Sequence, residues 1–488
     1  MIDYKNFKVW FVTGSQHLYG EETLRKVEEH SQSMVNELNK SSKLPVELLF
    51  KSVVTTSDAI EKVCHDVNSQ KECVGVIFWM HTFSPAKMWI RGLNILKKPM
   101  LHFHTQFNRD IPWDTIDMDF MNLNQSAHGD REFGYICTRM GIRRKVVTGH
   151  WQDDETLGKI AIWMRVAVAW ADMQGMKIAR FGDNMRDVAV TEGDKVEAEK
   201  VFGISVNGYG VGDLVEYVNN VDEKEILNLI EEYKEQYEID QKLLEGGEKY
   251  QNLKDAARIE IGLERFLKDG NFKAFTTTFE NLHGLKQLPG LAVQRLMAKG
   301  YGFGAEGDWK TAAMVRAVKV MSDGLNGGTT FMEDYTYHLE PGNMIVLGAH
   351  MLEVCESIAS EKPRIEIYPL SIGGKDDPPR LIFDADEGEA INASLIDIGD
   401  KFRLIVNEVK TIKPPRPMPR LPVARVFWIP KPDLKTAATA WIYAGGAHHT
   451  VFSQAIDINY LEDFVEIAGI ELVKIDENTK VEEVRFRT

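Results

Sequence analysis

The chain has 488 residues, 44% hydrophobic and 27% charged, with ten Trp and a formal net charge of -15. Cores stop growing near roughly 250 to 300 residues, so two or three folded domains are expected and disorder is excluded over most of the chain. The negative balance, with no Lys/Arg-rich stripe to override it, argues against a nucleic-acid partner.

Four scattered cysteines, Cys64, Cys73, Cys137 and Cys355, form no Cys-x-x-Cys pair, which points away from a disulfide framework or thiolate metal site and toward a reducing cytoplasm. The start, Met-Ile-Asp-Tyr-Lys-Asn-Phe-Lys, lacks the apolar core of a signal peptide. No apolar run approaches the roughly 18 residues of a membrane helix, so no membrane partner is expected.

From Phe7 to about Phe103, apolar runs at Lys8 to Thr13, Val46 to Lys51, Val74 to Trp79 and Pro99 to Phe103 read as strands. They alternate with helical stretches such as Glu21 to Asn39 and Thr56 to Val67, the pattern of a parallel sheet covered on both faces. Ligands favour the loops at the carboxyl ends of such strands. Two of these loops, Gly14 to Gly20 and His81 to Lys87, are rich in hydrogen-bonding side chains. A helix near Ile160 to Gln174 leads to a strand at Met176 to Phe181, which sets a domain boundary near residue 175 and opens a second strand-helix alternation. Within it, the charged stretch Asp222 to Tyr250 carries apolar residues at helical spacing and reads as a solvated surface helix.

Beyond about residue 325 the runs shorten and crowd together: Thr329 to Leu339, Met344 to Leu352, Arg364 to Tyr368, Arg380 to Asp384, Ala390 to Ile398 and Phe402 to Val409. This predicts an antiparallel β-rich domain, sandwich or barrel. Proline interrupts Lys413 to Pro422, which reads as an extended connector. The expected division is therefore an α/β domain over 1–175, a second α/β domain over 176–325 and a β-rich domain over 326–488.

Four segments of the second half carry the chemistry. Glu306 stands in a Gly-rich loop between a helix ending near Lys299 and another beginning after Asp308, a good N-cap. Glu340-Pro341-Gly342-Asn343 is a turn signal between two β-like runs. If Pro341-Gly342 closes a two-residue hairpin, Glu333 and His350 fall directly opposite each other, with Cβ atoms about 4.5 to 5.5 Å apart, although a type II turn leaves the register open by a residue or two. His448 and His449 follow a run of small residues that leaves both imidazoles unobstructed. Neighbours in extended chain point to opposite sides, so one of the two is expected at a shared metal and the other at substrate or a supporting group. Two carboxylates and two imidazoles can hold a divalent cation that stays open to substrate, and the same carboxylates can move protons.

Other strings weaken. Gly14 to Gly20 lacks the Gly-Lys-Ser/Thr ending of a phosphate loop, His102-Phe103-His104 reads as packing at a sheet end, and Ser371 to Asp377 reads as a turn. A sugar-binding module without catalysis would leave the four clustered ligands without a purpose. A different metal-assisted enzyme on the same scaffold is separated only by its product.

Several strings are more specific. Val12-Thr-Gly-Ser-Gln-His-Leu-Tyr-Gly20, His81-Thr-Phe-Ser-Pro85, Met121-Asn-Leu-Asn-Gln125, Arg180-Phe-Gly-Asp-Asn-Met-Arg186 and the segments around Glu306, Glu333, His350 and His449 occur in order along nearly the full chain. Together they closely resemble the L-arabinose isomerase family. The resemblance implies an aldose-ketose isomerase converting L-arabinose to L-ribulose, with D-galactose to D-tagatose as a related reaction. It implies a divalent cation, usually Mn²⁺, on Glu306, Glu333, His350 and His449, with Glu306 and Glu333 moving protons. It further implies two α/β domains followed by a C-terminal β-barrel-like one, in trimers or hexamers with active sites at subunit contacts. On that pattern Gln16, Tyr19, Phe83, Gln125 and His128 approach the sugar from a neighbouring subunit, and Met185 and Phe279 line the pocket; with His449 at the metal, His448 is the member of the pair left for substrate.

Overall fold

The computed structural model describes residues 2–370 and 372–486; Ser371, the first residue of the expected Ser371 to Asp377 turn, lies outside the described residues. The chain divides into two compact units, one formed by Ile2–Ala171 with Asn459–Gly469, the other by Asp172–Ile458 with the stretch after Gly469.

The first unit is built on a five-stranded parallel sheet in the order Glu47–Val54, Lys8–Gly14, Cys73–Met80, Met100–His104, Lys145–Thr148. All eight residues of Cys73–Met80 are buried, which explains why this strand reads as an uninterrupted apolar run rather than an alternation. The helix Gly20–Leu38 buries Val27, Ser31, Met34, Val35 and Leu38, one stripe at helical spacing. Thr56 caps the helix Ser57–Ser69 by accepting from the Ala59 N–H. Four of the five strands fall where apolar runs of the sequence predict them; Lys145–Thr148 is a short edge strand with only Val147 buried, too weak a pattern to stand out.

In the second unit, a four-stranded parallel sheet runs in the order Gly302–Gly304, Phe272–Thr276, Lys177–Phe181, Ser205–Tyr209. An antiparallel barrel follows. Its order is Gly388–Asp397, His449–Ser453, Thr329–His338, Ile345–Ala349, Arg425–Pro430, Phe402–Ile412, and the last pairs with the first to close the ring. Glu471–Ile475 adds in parallel to Phe402–Ile412. Closure removes the exposed edges that an open sheet of this length would carry. Met332, Val346, Trp428 and Phe452 pack in its apolar core.

Two expectations are corrected. The stretch Asp222 to Tyr250 is not one helix: Glu223–Gln236 is helical, Tyr237 is extended, and Glu238–Ile239 pairs in parallel with Arg364–Ile367. Helical propensity is overridden there by burial. Tyr233 and Tyr237 are both buried, their hydroxyls donating to Glu260 at 2.7 Å and Glu356 at 2.8 Å, and only an extended residue 237 lets the chain turn onto its partner strand. Arg364–Ile367 and Pro379–Ile382 likewise lie outside the barrel, in a small three-stranded sheet with Glu238–Ile239. Between Ile412 and Arg425 the proline-rich connector contains no helix or strand.

Candidate active site

Three candidate residues follow the carboxyl ends of strands in the central parallel sheet. Met185 lies after Lys177–Phe181, Phe279 after Phe272–Thr276 and Glu306 after Gly302–Gly304. Glu306 has a left-handed backbone, φ 58°, followed by Gly307 at 86°. The turn is pinned by three backbone bonds: Met185 N to Glu306 O at 3.0 Å, Gly307 N to Thr277 O at 3.0 Å and Asp308 N to Ala305 O at 2.8 Å. Asp308 then caps the helix Trp309–Met321, its carboxylate accepting from the N–H groups of Lys310 and Thr311.

The barrel supplies the rest. Glu333 stands opposite His449 on the neighbouring strand, so the two side chains leave the same face. In the hairpin, the pairs His338 with Ile345, Tyr337 with Val346 and Thr336 with Leu347 follow the register expected from the Pro-Gly turn. A bulge at Tyr335 then slides the register by one, so Glu333 faces Ala349 rather than His350. His350 falls one residue past the strand end, and its Nε2 remains 3.8 Å from Glu333 Oε2.

Glu306, His350 and His449 bring one ligand atom each within 4.8 Å of the others. His449 Nε2 is 3.7 Å from Glu306 Oε2, and His448 Nε2 approaches the same oxygen at 3.6 Å. The adjacent histidines differ in burial: the His449 side chain is fully buried, whereas that of His448 is 38% exposed. Both buried imidazoles are gripped from behind, His350 Nδ1 by Glu353 Oε2 at 2.5 Å and His449 Nδ1 by Asp308 Oδ2 at 3.1 Å. With Nδ1 engaged by a carboxylate, each Nε2 is directed inward. Phe331 packs edge-on to both rings, at 5.1 and 5.2 Å, and Phe279 stacks on His350 at 6.2 Å.

Electrostatics sort these groups. The His448 imidazole, outweighing burial and helped by His449, holds Glu306 below the usual carboxylate range. Burial alone would raise Asp308, but Lys310 and His449 overcome it and keep this carboxyl far below its ordinary value. For His350, burial favours the neutral ring, yet Glu353 and then Glu333 and Glu306 leave it above the usual imidazole value.

The donors fit a divalent cation. Buried His449 Nε2 has no hydrogen-bond partner, a costly arrangement unless something else accepts its lone pair. Carboxylate oxygens and neutral imidazole nitrogens are the donors that borderline divalent metals take.

The remaining candidates stand in the first unit. Gln16 and Tyr19 follow the strand Lys8–Gly14, Phe83 follows Cys73–Met80, and Gln125 and His128 lie at the start of the helix Ser126–Arg139. Tyr19 donates from its hydroxyl to Gln125 Oε1 at 2.9 Å, Ser15 and Thr82 hydroxyls meet at 2.7 Å, and His128 is exposed. Nearby, His102 and His104 both hydrogen-bond the Asp130 carboxylate, at 2.8 and 2.6 Å, and lie in a strand of the sheet. In the sequence Glu353 and Phe331 belong to no motif, and Asp308 reads only as a cap. The spacing His350-x-x-Glu353 is a local signal for one of these contacts; the pair Asp308 and His449 is 141 residues apart and has none.

Three family profiles cover the chain in order: the L-arabinose isomerase N-terminal domain over residues 3–175, the central domain over 177–324 and the C-terminal domain over 328–471. An L-arabinose isomerase of Geobacillus stearothermophilus is 64% identical over 481 residues, 99% of this chain and 97% of that protein. The chain belongs to the L-arabinose isomerase family. It is an isomerase, related also to the L-arabinose isomerases of Herpetosiphon aurantiacus, 60% identical over 99% of this chain and 97% of that one, and of Serratia proteamaculans, 60% identical over 98% and 95%. Glu306, Glu333, His350 and both histidines of the pair fall within the matched regions of the central and C-terminal domains of the family.

Proposed function

We propose that this member of the L-arabinose isomerase family interconverts L-arabinose and L-ribulose, with Glu306, Glu333, His350 and His449 as ligands of one divalent cation, Mn²⁺ being the ion to test first. The observation that carries the metal reading is the pair of inward-facing Nε2 atoms, one of them buried without a partner, next to two carboxylates. When bound, a divalent cation polarises the carbonyl and stabilises the negative charge that develops across C1 and C2.

Moving the carbonyl from C1 to C2 requires one proton to leave C2 and one to arrive at C1 through an enediol. Glu306 and Glu333 are the groups proposed to take and return that proton. Both carboxylates are largely shielded from solvent, with side-chain exposures of 14% and 20%, and each has an oxygen near a buried imidazole, Glu306 at 3.7 Å from His449 and Glu333 at 3.8 Å from His350. His448, more exposed and 3.6 Å from Glu306, is proposed to hydrogen-bond the sugar. Met185 and Phe279, at the carboxyl ends of neighbouring strands, are proposed to wall the pocket.

Gln16, Tyr19, Phe83, Gln125 and His128 are assigned to the sugar from a neighbouring copy's N-terminal unit, in a homo-oligomer of three or six chains. The tie between Tyr19 and Gln125 supports their acting as one patch. Cytoplasmic operation, in L-arabinose catabolism, accords with four buried cysteines that form no disulfide. Among the described residues no helix is long and apolar enough to cross a membrane.

The deciding experiment incubates purified protein with L-arabinose and Mn²⁺ and looks for L-ribulose, then repeats after chelation. Full turnover in rigorously metal-free protein would remove the cation from the mechanism. D-galactose, which carries an extra hydroxymethyl group, is the second sugar to assay, with D-tagatose as its product. Sugar binding without turnover would instead favour a binding module. An active monomer in sedimentation would contradict the shared site.

A further inference from the structure

Within the N-terminal unit, a pocket of about 310 Å³ opens where the strands Met100–His104 and Lys145–Thr148 begin, at the opposite edge of the parallel sheet from the loops that carry Gln16 and Phe83. That volume falls in the range of small-molecule sites. Its wall contains Lys97, Lys98, Arg143 and Arg144, facing a single acid, Glu466, and it is floored by Trp170 with aliphatic neighbours.

None of the four cations forms an ion pair among the described residues. Lys98 Nζ is spent on the carbonyl oxygens of Gln70 and Cys73, at 2.5 and 2.7 Å. The Arg144 guanidinium donates to Ile142 O, Gly134 O and the Thr138 hydroxyl, each at 3.1 Å, while its buried Nε has no partner. Glu466 Oε1 accepts from the Arg144 backbone N–H at 3.2 Å, so even the one acid is engaged elsewhere. Lys97 and Arg143 are exposed and free to move onto a ligand. In a chain of net charge -15, four cations against one acid around one concavity are a local excess of positive charge. Such a place attracts a multiply charged anion far more than a neutral sugar, and arginine's planar fork suits phosphate oxygens in particular.

We propose that this pocket binds a phosphomonoester that carries a planar group, of the nucleoside monophosphate class. The phosphate is held by Lys97 and Arg143 over the fixed charges of Lys98 and Arg144, and the planar group lies on the Trp170 side. The site is independent of the isomerase chemistry proposed above.

Isothermal titration of the full-length protein with AMP, ribose 5-phosphate and inorganic phosphate tests it. AMP should bind saturably, one per chain, and more tightly than either other probe. The double variant Lys97→Ala/Arg143→Ala changes two exposed side chains and should weaken AMP by at least about tenfold while L-arabinose turnover is unchanged. Raising the salt concentration should weaken AMP in the wild type. The proposal is overturned by absence of saturable AMP binding, by equal affinity in the double variant, or by ribose 5-phosphate binding as tightly as AMP. An assembly that dissociates in the double variant, with AMP inert toward the wild type, would assign the cations to a contact between copies and also overturn it.

Discussion

Glu306 occupies a left-handed backbone conformation, which costs a residue other than glycine or asparagine about 1–2 kcal/mol, and three backbone hydrogen bonds hold it there. The strain places a carboxylate where His448 and His449 both reach it, and that placement is what the loop provides. Replacing the charge without altering the shape isolates its role. Glu306→Gln and Glu333→Gln are each expected to lower kcat by about 10²- to 10⁴-fold, with unchanged circular dichroism; turnover near the wild-type rate in either would refute the proton-transfer assignment. Asp308 acts one step back, fixing the His449 ring through Nδ1. Asp308→Asn can present an N–H to Nδ1 and favour the wrong tautomer, so Mn²⁺ affinity, read by titration calorimetry, should drop by about 10- to 100-fold. Unchanged affinity would show that the ring is held by packing against Phe331 alone.

The hairpin that delivers Glu333 and His350 shows what an element adds to its residues. Its outer rungs obey the Pro341-Gly342 turn, and the bulge at Tyr335 resets the inner ones, which is how Glu333 comes to pair with Ala349 on one side and His449 on the other. Close packing keeps that register. A Cβ on Gly348 would lie 1.8 Å from the Trp428 ring, so the glycine is where the indole crosses the strand. Gly348→Ala is expected to cost about 1–3 kcal/mol in chemical denaturation, with a larger loss of cation affinity than the stability change alone would produce, because His350 sits two residues on. A neutral effect on both would mean that the barrel relaxes around Trp428. Turn chemistry made the hairpin readable; the bulge was not, since it answers to three strands at once.

At the scale of the molecule, the N-terminal unit is completed by a segment from near the other end of the chain. Phe464 packs edge-on to Trp170 at 6.0 Å, and Asp463 meets Lys145 at 2.5 Å. Burial pushes the Asp463 carboxyl up to about 6 despite that ammonium. Between the ordinary carboxylate value near 3.8 and about 6, the folded chain keeps a proton that the unfolded chain has released, so this group makes the fold progressively less stable as pH rises through that window, and its effect levels off above it. Asp463→Asn should therefore show a smaller fall in melting temperature than wild type across the same window. Identical pH slopes in the two proteins would place the titration elsewhere.

How much was legible divides along physical lines. The run of buried strands, the N-cap at Asp308, the Pro-Gly turn and the presence of ligand-type side chains at Glu306, Glu333, His350 and His449 are properties of short stretches, and local stereochemistry and side-chain type carry them without help. The resemblance that named the family rests on such strings too. What only the tertiary structure decided are matters of distance between remote residues: that Tyr237 abandons a helix to bury its ring, that Arg364–Ile367 leaves the barrel for a separate sheet, that Glu353 and Asp308 hold the two imidazoles, and that residues 459–469 belong with the N-terminal unit. Each is a packing or pairing energy that compares partners far apart in sequence, and no local pattern encodes the outcome of that competition.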